Sequence, residues 1–380
     1  MALLHLARDW AAARGVDVAV ATVDHGLRRE AADEAAMVAD ACAALGLSHD
    51  TLRWSGWDRQ GNLQDKARQA RYRLLAEWAR ARKVAAVALG HTQDDQAETF
   101  LMRLARGSGV DGLAAMRRDW TAQGTRWLRP MLALSRQDLR DYLREKGVVW
   151  VDDPGNDDPA YDRIKARHAL VALAPLGLDA ARLAETATAM TRARAALNAQ
   201  TYAAAENLCQ TQFGDVLISA AAQDLPAEIH SRLFAHALQW VASAPYRPRL
   251  SALQQAWRDV GAGTTRTLHG CHISAGPDHV RISREYQAVK DVRAELGALW
   301  DNRWRLTGPA TSAEVRALGE AVKDCPDWRA GDLPRAALMA SPAVFDGETL
   351  LAAPLAGFGP NWSAKLEPNQ GDFAASVLSH

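Results

Sequence analysis

The run Val84–Gly109, VAAVALGHTQDDQAETFLMRLARGSG, decides how the first half of this chain is read. Val84-Ala85-Ala86-Val87-Ala88-Leu89 is a short apolar run with the length of a buried strand. Thr92 then stands as a helix N-cap, with Asp95 three residues later in a T-x-x-D capping pattern. At about 100° per residue, Ala97, Phe100, Leu101 and Leu104 form one apolar stripe. Asp94, Asp95 and Glu98 lie together along its edge. Acids in a first turn are favoured by capping and the helix dipole alone. Here, however, three carboxylates and His91 collect just past the end of a strand, the edge of an open α/β sheet where ligands bind. Arg103, Arg106 and Gly107-Ser108-Gly109 follow, offering cations and close backbone approach.

Outward from this run, strand and helix patterns alternate. Met1–Arg14 reads as a helix, with Leu3, Leu4, Leu6 and Trp10 clustered and Gly15 as its stop. Val16–Val23 reads as a strand ending in Asp24-His25-Gly26-Leu27-Arg28, and 30–45 as an Ala-rich helix. His49–Trp54 is a short strand. Asn62 caps a long helix with Leu63, Ala67, Ala70, Leu74 and Trp78 on one face. This alternation predicts a doubly wound parallel α/β sheet with helices on both faces. Such a sheet does not begin with a helix, so the expected first strand and its phosphate-binding turn would precede Met1.

Beyond about residue 175 the pattern changes. Ala180–Leu208, Ile229–Ala242 and a segment opening at Tyr246-Arg247-Pro248-Arg249 read as helices, and 264–285 as paired short strands around a Gly-Pro-Asp turn. The expected organisation is an α/β domain over 1–175, a helical middle domain over 176–262, and a small mixed α+β domain over 263–380.

The chain has 380 residues, 48% of them hydrophobic, and equal numbers of basic and acidic side chains, 45 each. Net charge therefore gives no hint of nucleic acid. Locally, Arg59, Lys66, Arg68, Arg71, Arg73, Arg80, Arg82 and Lys83 face only Asp65 and Glu77, a bias that suits a phosphate-bearing ligand. No apolar run approaches the ~18 residues of a membrane span. Cys42, Cys209, Cys271 and Cys325 are far apart, which argues against a disulfide framework, zinc or an iron–sulfur cluster and favours a reducing cytoplasm. His269, Cys271 and His272 sit close together, but no second ligand pair follows, so no metal site is expected.

Several of these segments resemble motifs of the tRNA(Ile)-lysidine synthetases. GHTQDDQAET…RGSG resembles the family's HxxDDQxET…RGSG segment, and Asp24–Arg28 its DHGLR. Asn62 through Arg71-Tyr72 resembles its N…A-R-x-x-R-Y helix, and Gly112–Met116 and Arg129–Leu132 its GLxxM and RPLL. Trp150 through Asp158 and Tyr161 resemble its W-x-x-D-x-S-N-x-D-x-x-Y stretch, with Gly155 in place of Ser. Arg163–Arg167 is a looser form of RNxxR. The resemblance covers about the first 175 residues. It implies that a Ser-Gly-Gly-x-Asp-Ser pyrophosphate loop belongs immediately before Met1. Without that loop, adenylation by the chain itself is doubtful.

The implied reaction uses ATP, with Mg2+, to adenylate the 2-carbonyl oxygen of the wobble cytidine in a minor isoleucine tRNA with a CAU anticodon. The ε-amine of free L-lysine then displaces AMP to form lysidine. The resemblance assigns Asp95 and Glu98 to the lysine amine and its proton, with Asp94 an alternative for either role. It sets Asp24 near the nucleotide or its metal and Arg28 near the nucleotide, with His25 either structural or nucleotide-facing. Arg106 would hold phosphate or the lysine carboxylate. Asn62, Arg68 and Arg71 would reach ATP phosphates or tRNA, and His91 would stack, hydrogen-bond or serve the fold. Two other readings compete: a different tRNA-adenylating enzyme such as a thiolase, which generally wants paired cysteines, and a non-catalytic tRNA-binding protein.

Overall fold

The computed structural model describes residues 1–26, 30–55, 63–151, 162–309, 313–368 and 371–379. The chain divides into two compact units, Met1–Arg194 and Ala195–His380.

In the first unit the elements run α1 (Ala2–Ala12), β1 (Ala19–Asp24), α2 (Glu30–Ala44), β2 (Ser48–Arg53), α3 (Leu63–Ala81), β3 (Val87–Ala88), α4 (Gln93–Ala105), α5 (Val110–Leu113), β4 (Asp119–Ala122), β5 (Thr125–Leu128), α6 (Arg136–Glu145) and α7 (Asp162–Leu173). α8 (Ala180–Leu208) begins in this unit. The βα alternation read from sequence is present, and β1 and β2 pair in parallel, Ala19 opposite Ser48 through Asp24 opposite Arg53.

The sheet is not continuous. β1 and β2 form one sheet and β3–β5–β4 another, with no hydrogen bonds between β1 and β3 among the described residues. The apolar run Val84–Leu89 yields only two strand residues, which pair in parallel with Trp127 and Leu128. Antiparallel β4 was not anticipated. It joins β5 through Gln123-Gly124, both at positive φ (54° and 69°), the geometry of a two-residue hairpin turn that matches strand twist. Trp127 is fully buried against Leu75, Ala76, Ala79, Val87 and Leu89, which fastens α3 to β3 and β5. In α1 the expected apolar cluster holds in part. Ala2 packs with Met131, Leu139 and Leu143, whereas Trp10 is 51% exposed and carries the Arg14 guanidinium over its ring.

In the second unit the region expected to be helical, 176–262, also holds two strands. β6 (Cys209–Gln212) and β7 (Asp215–Ser219) precede α9 (Ala227–Ala242) and α10 (Leu250–Gly261), followed by β8 (Arg266–Leu268), β9 (Cys271–Ala275) and β10 (His279–Arg284). These strands form one sheet in the order β6-β7-β10-β9-β8, so it draws on both sides of position 262. Phe213-Gly214 and His269-Gly270 make its tight turns, again at positive φ. His269 is thus a turn residue and Cys271 is fully buried, so they do not share an exposed strand face.

The remainder comprises α11 (Tyr286–Val289), β11 (Arg293–Glu295), β12 (Leu299–Trp300), β13 (Trp304–Thr307), β14 (Glu314–Ala317), α12 (Arg335–Met339), β15 (Pro342–Asp346), β16 (Thr349–Ala352), β17 (Ser363–Leu366) and α13 (Phe373–Ser376). It holds two small sheets, β11-β14-β15-β16 and β12-β13-β17. No described helix is long and apolar enough to cross a membrane.

Candidate active site

The site is built on the β3–α4 turn. The Leu89 N–H donates to the Leu128 carbonyl (2.8 Å), and His91 precedes the N-cap. The capping box is complete. Asp95 N–H donates to Thr92 Oγ1, and the Thr92 N–H and hydroxyl both donate to Asp95 Oδ2 at 2.8 Å. Cap and site therefore share one carboxylate: Oδ2 is spent on the helix end, while Oδ1 faces Arg136 (3.9 Å) and Arg163 (4.0 Å). Burial pushes the Asp95 carboxyl up, but the two bonds from Thr92, with Arg163 nearby, bring it below its ordinary value.

Asp94 serves the neighbouring helix. Its Oδ2 accepts from the Arg136 backbone N–H (2.6 Å) at the start of α6, where an anion offsets the unpaired amides and the dipole. Glu98 is fully buried and surrounded by guanidiniums: Arg167 Nε at 3.0 Å, Arg136 Nη2 at 3.4 Å and Arg163 Nε at 3.4 Å. Its Oε1 accepts from Arg167 and Arg136, while Oε2 is buried without a hydrogen-bond partner among the described residues. The apolar stripe of α4 is also narrower than its periodicity suggests. Ala97 and Phe100 are buried, Leu104 is 49% exposed, and Gln96 and Glu98 take buried places.

Arg106 stands on the surface. It pairs with Asp162 at 3.0 Å, both side chains more than half exposed. The Arg103 side chain fastens the segment after the Gly107-Ser108-Gly109 loop, donating to the carbonyls of Gly112 (2.8 Å) and Ala115 (2.9 Å). Gln96 takes hold of Met116 from both sides: its amide nitrogen donates to the Met116 carbonyl and its oxygen accepts from the Met116 N–H.

At the other strand end, Asp24 Oδ1 accepts from the Gly26 N–H (2.8 Å). His25 stands edge-on to Trp54, its buried Nδ1 without a partner among the described residues, and burial followed by Arg71 lowers its pKa. Arg71 also lowers the pKa of His91, so its charge is felt at both strand ends. Arg71 is exposed by surface area although its guanidinium is crowded enough for burial to lower its own pKa. Arg68 is exposed, with its guanidinium 5.2 Å from the Tyr72 ring. Arg28 and Asn62 lie outside the described residues, as does the Asp152–Tyr161 motif.

Arg129, read from sequence only as one of a run of basic residues and as the Arg of the RPLL-like segment, is 4% exposed. Its Nε donates to His91 Nδ1 (3.1 Å), Nη1 to the Arg117 carbonyl (2.7 Å) and Nη2 to the Tyr72 hydroxyl (3.1 Å), while its plane lies over Trp120 at 4.0 Å. Its partners converge only because β4 and β5 fold back on β3, and that hairpin was not read. Beside the cluster a cavity of about 460 Å³ is lined by Met1, Ala2, Leu3, Gly90, Met131 and Arg136, among others. Among the described residues no group of three or more His, Cys, Asp or Glu side chains is placed to hold a metal ion.

Residues 1–174 match the family described as a PP-loop domain. Over its whole length the chain is 50% identical to the tRNA(Ile)-lysidine synthase of Ruegeria pomeroyi, covering 91% of that protein. It is 35% identical to the synthase of Wolbachia pipientis across 80% of this chain and 73% of that one. It is 38% identical to a Bradyrhizobium synthase across 74% and 86%. Among solved structures, the U34-tRNA thiolase NcsA of Methanococcus maripaludis aligns at a TM-score of 0.42 and 13% identity over 50% of this chain and 67% of that one, too slight a likeness to carry an argument. With half of all positions identical along its full length, the chain belongs to the tRNA(Ile)-lysidine synthase family.

Proposed function

We infer that this chain is a carbon–nitrogen ligase that uses ATP to join free lysine to the wobble cytidine of a minor isoleucine tRNA. Family membership supports the reaction. The cytidine 2-carbonyl oxygen attacks the α-phosphorus of ATP and pyrophosphate leaves. The lysine ε-amine, having lost a proton, then attacks C2, and AMP departs with the C–O bond.

The observation that carries this reading to the site is the mixed-charge cluster at the start of α4. Asp94, Asp95 and Glu98 meet Arg136, Arg163 and Arg167, with a neutral imidazole beside them. An amino acid that brings both ammonium and carboxylate groups is matched by a surface holding both signs. Asp95 is the carboxylate with an edge to offer the amine. Glu98 acts at one remove, by holding the arginines. Arg136 and Arg163, partly exposed, suit the lysine carboxylate or a phosphate oxygen. Asp94 is assigned to α6 rather than to substrate.

The nucleotide is assigned to the cavity beside Gly90 and to Asp24, His25 and Arg71. The His25 Nδ1, unpartnered among the described residues, and a volume within the ~300–1,000 Å³ usual for ligand pockets fit it. Mg2+ neutralises phosphate charge when bound. Its ligands would be the ATP phosphates and Asp24. Arg68 and Arg71, exposed on α3, suit the tRNA backbone. A sulfur-transfer reading fares worse: Cys42 is the one cysteine of the first unit, and it is fully buried.

The test supplies ATP, L-lysine and the tRNA to the chain, with any in-frame residues upstream of Met1 included, and measures the modified nucleoside by mass spectrometry. Lysidine that requires all three reagents is the expected result. Lysine-independent modification, or none, sinks the reading.

A further inference from the structure

Arginine has five N–H donors and no acceptor. The 3.1 Å bond between Arg129 Nε and His91 Nδ1 therefore has one possible sense, with Nδ1 accepting. An imidazole whose Nδ1 accepts carries its proton on Nε2 and is uncharged. Arg129 has no freedom to turn away, since Nη1 is bonded to the Arg117 carbonyl, Nη2 to the Tyr72 hydroxyl, and its face rests on Trp120. His91 Nε2 has no protein partner among the described residues and is not sealed in the interior.

We propose that Arg129 is a positioning residue for the ligation: it holds His91 as a neutral ring with Nε2–H outward, a hydrogen-bond donor to a substrate oxygen. This rests on the proposed reaction only for the identity of that oxygen, the cytidine 2-carbonyl or an α-phosphate oxygen. Every group facing His91 bears on its charge. Arg129 from the end of β5, Arg71 from α3 and Arg163 from α7 oppose protonation, as does burial, and Asp95 on α4 alone favours it. The balance brings the His91 pKa down to about 4. His91 is then no base for the lysine amine, since Nε2 is already protonated and Nδ1 is taken. Proton removal falls to Asp95 or to solvent.

The test reads the tautomer directly, without substrate, by long-range 1H–15N correlation on the 15N-histidine-labelled full chain. His91 is expected to show protonated Nε2 and bare Nδ1, unchanged from about pH 8 to about pH 5. Arg129→Gln should bring His91 toward ordinary titration and lower kcat by about tenfold or more, with the KM for ATP little altered. A new acid limb should appear in its kcat profile between about pH 5 and 7. Arg129→Lys, which keeps a cationic donor, should restore part of both. His91→Gln, whose amide reaches the Nε2 position as a donor, should keep more activity than His91→Ala.

A proton on Nδ1, or titration of wild-type His91 near pH 6.5, overturns the proposal. So does an Arg129→Gln enzyme with unchanged kcat and pH profile. If that variant fails to fold, the wild-type tautomer decides alone. A wild-type protein with the expected tautomer but no lysidine product would refute the reaction and leave the Arg129–His91 arrangement standing.

Discussion

Each unit of this protein buries a cluster of arginines and carboxylates, and the two are built on opposite principles. In the second unit the guanidiniums of Arg281, Arg284 and Arg303 each have their own acceptors, with the buried Arg303 Nε left without one among the described residues. Arg284 forks onto Asp301 (2.8 and 3.0 Å) and reaches the Gly270 carbonyl, and Arg281 joins Asp215 (2.8 Å) and Gln212 (2.6 Å). Arg303, 1% exposed, donates to the carbonyls of Val241 and Gly214. Gly214 sits at φ +84°, and a Cβ there would fall 2.8 Å from the Trp304 ring. In the first unit, three arginines share Glu98 at 3.0–3.4 Å and keep a quarter to two-fifths of their side-chain surface in water. Paired, forked, dry guanidiniums lock strands and turns together. Shared, half-wet ones leave part of each guanidinium facing solvent.

The sharpest way to break this contrast is Arg303→Met. It orphans two buried carbonyls and should cost about 3–5 kcal/mol in urea unfolding of the second unit. A loss under about 1 kcal/mol would mean that this cluster is as loosely engaged as the other. Glu98→Gln should cost less, about 1–3 kcal/mol, because the released arginines can turn to water. Lysidine formation should nonetheless fall far more than stability, as the guanidiniums lose their anchor. Full activity in a destabilised Glu98→Gln enzyme would make Glu98 purely architectural.

Replacing Arg68 and Arg71 by Glu should leave the melting curve nearly unchanged while weakening tRNA binding. The slope of log affinity against log salt should become shallower by about 1–2 units. An unaltered slope removes α3 from the interface.

The smallest expected effect is in acid. The folded-state pKa of His91 lies below its unfolded value, so the unfolded chain takes up the proton first as pH falls. The stability held by neutral His91 is fully present above about pH 6.5 and lost as pH falls toward about 4. His91→Gln should flatten that part of the urea-midpoint profile. An equally steep decline in the variant would move the acid sensitivity to other groups.

The strand–turn–helix run from Val84 was legible because its signals are local. An apolar run, Thr92 and Asp95 at capping distance, and three acids within one turn need no knowledge of the rest of the chain. What the acids do was not legible, because it depends on helices 40 and 70 residues downstream: Arg136 engages Asp94 and Glu98 across separations of 42 and 38, and Arg167 engages Glu98 across 69. The missed hairpins share one cause. Gln123-Gly124, Phe213-Gly214 and His269-Gly270 each place a residue other than Asn or Asp at the first left-handed position, so the customary Asn-Gly or Asp-Gly signal was missing. With the first of them went the placing of Arg129, whose role exists only once β5 lies beside β3.

Gln96 bonds both the N–H and the C=O of Met116, its amide supplying a donor and an acceptor side by side. The Met116 amide proton is therefore shielded for as long as the segment behind the Gly107-Ser108-Gly109 loop stays docked on α4, and it is released to solvent when that segment lifts. Its rate of hydrogen–deuterium exchange becomes a clock for the opening of the site, written into the backbone at one position and readable without a substrate or a label.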